Sequence, residues 1–196
     1  MPLMVAGLAL FLGLHSLPVV QSLRSGMVRA VGDVPYRIGF SVLSLVGLVL
    51  IAEGYKAWKY EAPGSAILWV SPAWLVHVAL LLNLFAFVSI AATYGRSHIK
   101  KAVKHPMILA VKIWAFAHLL ANGDVASVVL FGGFLAWGVI DRISVKRRER
   151  AGLIAPAAFE ARWRDDAIAV TVGVVVYVLF VWKLHLWLIG VSPVAV

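Results

Sequence analysis

The apolar stretch HPMILAVKIWAFAHLLANGD, His105 to Asp124, carries His105, Lys112, His118, Asn122 and Asp124. Burying such groups is costly, so each needs a partner or a task. At 100° per residue, Trp114, His118 and Asn122 fall within about 80° of one another, which puts an indole, an imidazole and an amide on one helical face. His105 and Lys112 form a second stripe, rotated away from His118. His105 precedes Pro106, a helix-start pattern, and Lys112 can snorkel or pair with an acid such as Asp141 or Asp124. A second candidate imidazole is His15, in GLHSLP. There Pro18 frees the Leu14 carbonyl from its helical bond, and the Ser16 hydroxyl is placed to compensate. Gly13 permits close approach of a helix or a flat ligand.

Two imidazoles inside apolar helices suit several chemistries. A neutral imidazole is a good axial ligand for haem iron, and haem in a helical bundle is commonly held from facing helices. Haem b needs no cysteine attachment, and the chain has no cysteine, which also excludes disulfides, iron–sulfur clusters and thiolate catalysis. The propionates of such a haem would seek Arg or Lys at a membrane boundary. A proton relay, a non-haem metal site and a structural hydrogen bond to backbone stay open on spacing alone. His77, His98 and His185 lie at segment ends or in a basic loop, where headgroup or solvent contact suffices. No G-x-S-x-G elbow and no phosphate-binding glycine loop occurs, and FGGF, Phe131 to Phe134, reads as tight helix packing.

The elements that must position these groups are membrane helices. Of 196 residues 62% are hydrophobic and 14% charged, and the mean hydropathy is +0.93, far from a soluble domain. The fold class expected is all-α: a polytopic integral membrane helical bundle treated as one domain over residues 1–196. Six apolar segments cover about Leu3–Val20, Tyr36–Ala57, Ala73–Tyr94, Met107–Ala121, Val125–Ile140 and Ala167–Ile189. A crossing needs roughly 20 residues, so the fourth and fifth are short, and the Asn122-Gly123-Asp124 turn between them is expected below the membrane surface, covered by other helices. The first segment lacks a basic n-region and reads as a retained span.

The net charge of +9 does not point to nucleic acid, because the basic residues sit in short runs between apolar segments. Arg24, Arg29 and Arg37, then Arg96 to Lys104, then Arg142 to Arg164 fall in the first, third and fifth loops, while Lys56 and Lys59 are assigned to an outward loop. That asymmetry places both termini outside. The fifth loop, about 141–166, is expected to be a cytoplasmic interfacial segment, read as an interfacial helix, with a charged face anchored by Trp163 as the alternative. Trp58, Trp69, Trp74, Trp182 and Trp187 read as interfacial anchors.

Taken together, GLHSLPVVQSLR, YRIGFSVLSLVGLVLIAEGY, HPMILAVKIWAFAHLLANGD and LFGGFLAWGVIDRISVKRR resemble the NnrU family of bacterial membrane proteins over nearly the whole chain. The resemblance implies a multi-pass protein of the bacterial inner membrane, associated with denitrification and needed for nitrite and nitric oxide reduction. That family is similar in turn to 15-cis-zeta-carotene isomerase, a haem-b membrane enzyme acting on a cis double bond of a carotenoid. Carried over residue by residue, the resemblance implies haem b with axial ligands His15 and His118. His105 matches a further family histidine, and Trp114 and Asn122 complete the cofactor-binding candidates. The NGD turn follows NnrU and not the isomerase. Three functions are therefore weighed: a haem-b protein of nitrogen-oxide metabolism, a haem-dependent cis–trans isomerase of a polyene, and a transport or assembly protein in which His118 and Lys112 line a small-molecule path.

Overall fold

A computed structural model describes residues 1–61, 64–155 and 158–194. Its helices are α1 Pro2–Ser16, α2 Gln21–Val31, α3 Asp33–Tyr60, α4 Ala73–Ala92, α5 His98–Val103, α6 Pro106–Ala121, α7 Val125–Arg150, α8 Trp163–Leu179 and α9 His185–Ile189. A π-helical turn, Phe180–Leu184, joins the last two. Among the described residues the one β feature is an isolated antiparallel bridge, Ile67 to Asp124. The all-α membrane class holds. Among the described residues five helical stretches, Pro2–Val19, Asp33–Tyr60, Ala73–Ala92, Val125–Arg150 and Trp163–Ile189, are long and apolar enough to cross a membrane, while α6 has 16 residues. Their outer faces are apolar, with Leu45 62%, Trp182 68% and Trp187 79% exposed, as lipid-facing residues should be.

Three local outcomes differ from expectation. The fifth segment is not short: nothing between Ile140 and Arg150 breaks a helix, so α7 continues through DRISVKRRER and stops before Gly152 (φ +68°). Its last turn is basic, which complements the negative helix end. Asp141 to Arg150 is therefore helix continuing from a span. Second, the first loop holds a helix of its own, α2, between the 3₁₀ turn Leu17–Val19 and Gly32 (φ +89°). Third, the Leu14 carbonyl accepts from the Leu17 N–H, and the Ser16 hydroxyl bonds the Leu12 carbonyl instead.

The chain forms two compact units: residues 1–68 with 124–133, and residues 69–123 with 134–196. In the first, α1 packs on α3 through small residues. A Cβ on Gly7 would lie 2.7 Å from the Ile51 nitrogen and 2.9 Å from the Gly47 carbonyl, and one on Gly54 would strike the Met4 backbone. Close backbone approach of this kind is the usual glue of membrane helices. FGGF does not supply it, because nothing lies within 4 Å of a Cβ on Gly132 and only leucine methyls approach one on Gly133. Gly54→Ala is accordingly expected to cost about 1–3 kcal/mol, since the opposing atoms are backbone and cannot yield. Gly132→Ala should leave the thermal midpoint in detergent unchanged or raise it. Equal midpoints for the two variants would show that the α1–α3 crossing is not glycine-limited.

In the second unit α4 packs against both α6 and α8. The start of α8 clamps the loop before α5: Asp166 accepts from the His98 and Ile99 backbone N–H groups and from His98 Nδ1 (2.6 Å), and Asp165 accepts from the Arg96 N–H. Trp163 stacks on the ring of His98, the first residue of α5, at 4.2 Å.

Candidate functional site

His15 occupies the last turn of α1, in the first unit. Its Nδ1 donates to the Phe11 carbonyl at 2.8 Å, and the Phe11 ring stacks on it at 4.1 Å. Phe40 of α3 lies across from it, with ring centroids 5.1 Å apart. On the same helical turn Gly13 opens to space, for a Cβ there would meet nothing within 4 Å.

His118 repeats this arrangement in the second unit. Its Nδ1 donates to the Trp114 carbonyl at 2.8 Å, four residues back, with the indole 5.1 Å away. Asn122, the residue ending α6, returns both its backbone N–H (2.9 Å) and its side-chain amide (3.0 Å) to the His118 carbonyl. The face expected from 3.6-residue periodicity is thus a connected row, Trp114, His118 and Asn122. Phe134 meets the Trp114 indole edge-on at 5.3 Å.

A carbonyl can only accept, so both imidazoles carry their proton on Nδ1, and a neutral ring then presents its lone pair on Nε2. That is the state in which histidine ligates a metal, with the second ring nitrogen held by a backbone oxygen. The donor chemistry suits a planar iron cofactor, which takes one or two imidazoles. A bare metal ion needs more ligands, and no group of three or more His, Asp or Glu that could hold one occurs among the described residues.

His105 is placed elsewhere. It caps the start of α6, thirteen residues before His118, or about 20 Å along the helix. Its Nε2 meets Glu149 at 2.8 Å, and Arg142 lies 3.8 Å from the same carboxylate. Lys112 lays its aliphatic stem against Gly138 of α7.

A connected polar cluster joins residues that local spacing does not pair. In the first unit, Lys59 Nζ lies 3.0 Å from Asp124 Oδ2, 2.9 Å from the Tyr55 hydroxyl and 3.2 Å from the Ser127 hydroxyl. Ser127 donates its hydroxyl (2.6 Å) and its backbone N–H (3.0 Å) to Asp124, which so caps α7, and Tyr55 closes the ring to Ser127 at 2.8 Å. The partner of Asp124 is Lys59, and Lys59 belongs to the end of α3 and not to a free outer loop. The spacing offered a clue: Tyr55 and Lys59 stand i,i+4, and D-x-x-S opens a helix.

Besides Lys59 and Tyr55 of α3, the segment 65–71 packs on the NGD turn. In the first unit Val125 N–H bonds the Ala66 carbonyl and Ala126 N–H the Ser65 hydroxyl. In the second, Trp69 N–H bonds the Gly123 carbonyl, Ser71 bonds the Leu120 carbonyl, and the Trp69 backbone leaves Gly123 no room for a Cβ.

A family model described as NnrU protein matches residues 3–193 of the chain. Neither a curated protein nor a solved structure shows significant similarity to it.

Proposed function

Since the chain belongs to the NnrU family, we propose that it is a haem-b-binding protein of the bacterial cytoplasmic membrane, acting in nitrogen-oxide metabolism, with His15 and His118 as its imidazole ligands. The observation that carries this reading is the matched pair of Nδ1–H donations to the carbonyl four residues back. A bound haem b supplies an iron able to take a small nitrogen oxide or to exchange an electron. The chain's residues orient and shield. Phe11 and Trp114 offer both the carbonyl that fixes each tautomer and an aromatic wall, and Asn122 secures the last turn of α6 behind His118.

The polyene-isomerase reading asks for a long apolar groove beside an iron ligand. The apolar groove of the second unit, about 300 Å³ between α4 and α8, is lined by Phe87, Tyr94, Val172 and their neighbours, with no histidine in its wall. The nitrogen-oxide reading is the one that the family match supports. Its test is the absorption spectrum of detergent-purified protein, oxidised and then reduced. A Soret band that shifts on reduction, and shifts again when nitric oxide is added, is expected. Protein that stays colourless after expression with ample haem, and after addition of haemin, would refute it.

A further inference from the structure

The first unit holds a cavity of about 370 Å³ lined by Pro18, Arg24, Tyr36, Arg37, Phe40 and Ser41. It adjoins His15: Phe40 is the ring 5.1 Å from that imidazole, and Pro18 follows three residues later in the chain. The sequence builds it with two turns between the antiparallel α1 and α3. The 3₁₀ turn at Leu17–Val19 sends α2 away from α1, and Gly32, at φ +89°, returns the chain into α3. Arg24 on α2 and Tyr36 on α3 are thereby brought together, the guanidinium carbon lying 5.7 Å from the Tyr36 ring.

The wall is two-sided in its chemistry. Pro18 and Phe40 are apolar and on the His15 side, while Arg24 and Arg37 supply guanidinium groups. Arg37 meets Asp33 at 2.9 Å, but that pair is solvent-exposed, with side chains 73% and 50% accessible, so it contributes little and can give way to a better anion. With Asp33 counted, the three charged groups leave one positive charge in excess. The volume is near the lower end for ligand sites, enough for one edge of a large planar molecule and not for the whole.

Resting on the haem reading above, we propose that this cavity is the subsite for the propionate carboxylates of the haem, with Arg24 and Arg37 as their partners. One edge of haem b is an apolar ring bearing two carboxylates. The planar fork of arginine pairs with a carboxylate through two parallel hydrogen bonds, and Phe40 continues the apolar surface from His15 to that edge. Carboxylates held there would fix which edge of the macrocycle faces Arg24 and Arg37.

The test compares haem b with its dimethyl ester, in which both carboxylates are neutral, by titrating each into purified apo-protein and following the Soret band. Wild-type protein should bind haem b at least about tenfold more tightly than the ester, the scale of one charge-assisted hydrogen bond. Arg24→Gln with Arg37→Gln should abolish that preference while leaving ester binding unchanged, and Arg29→Gln, outside the cavity, should preserve it. Equal binding of both forms by the wild type overturns the propionate assignment alone and needs no variant to fold. A variant pair that keeps the full preference overturns it equally. Absence of a Soret band with either form in the wild type overturns the haem reading, and this assignment with it.

Discussion

Lys59→Met is expected to destabilise the protein by about 3–5 kcal/mol, the cost of removing one partner from a buried ion pair. The side chains of Lys59 and Asp124 are only 17% and 10% accessible, so neither charge can turn to water when the other is lost. The methionine keeps most of the volume of the lysine stem and isolates the charge. Asp124→Asn retains an oxygen for the Ser127 N–H, so the cap of α7 survives while the ammonium loses its counter-charge. In the double variant no charge is stranded. Its loss should therefore fall short of the sum of the single losses by about 0.5–3 kcal/mol, the range of coupling found for residues in contact. Chemical unfolding of the four proteins in one detergent reads this directly. Strict additivity would mean that the pair contributes nothing of its own.

The same cluster sets a direction in pH. Burial raises the Asp124 pKa, but the Ser127 hydroxyl and N–H and the Lys59 ammonium outweigh it and hold the carboxyl below the usual carboxylate range. A carboxyl lowered on folding contributes stability that is present above its unfolded pKa and disappears as pH falls through its folded one. Wild-type protein should thus lose stability in acid more steeply than Asp124→Asn, and parallel acid limbs would deny Asp124 that role.

What the sequence discloses of this arrangement follows physical lines. Long apolar runs declare membrane helices without reference to partners, and the face shared by Trp114, His118 and Asn122 follows from helix period alone. Helix α2 is missed because QSLRSGMVRAV is short and polar, so hydropathy treats it as loop, and it forms a helix without burying any of its residues. The continuity of α7 past Ile140 escapes for the opposite reason: a helix is expected in RISVKRRER, but hydropathy ends at Ile140 and so does not join it to the span. Lys59 and Asp124 stand 65 residues apart, and no local rule pairs them. Read by topology, Lys59 is one more charge outside the membrane. Only the fold, by bringing the end of α3 to the start of α7, turns it into the buried partner of the acid in the NGD turn.

His15→Ala and His118→Ala are each expected to abolish the wild-type haem spectrum, either by loss of pigment or by a shifted Soret band with collapse of the visible bands of the reduced form. Each substitution removes an imidazole whose Nδ1 is held by the preceding turn, and it leaves a space of imidazole size beside Phe11 and Phe40 in one case and Trp114 in the other. Because the missing group is a small diffusible base, added imidazole should restore the wild-type spectrum in both variants. A merely structural histidine would not respond in that way, since replacing a packed side chain destabilises the helix without creating a spectrum that free imidazole repairs. His105→Ala provides the contrast. Its imidazole is engaged with Glu149 at the far end of α6, so the spectrum should be unchanged. If His105→Ala changes the spectrum as His118→Ala does, the start of α6 takes part in the site. If His15→Ala or His118→Ala leaves the spectrum intact, that residue is not a ligand, and its hydrogen bond to the preceding turn is then an end in itself.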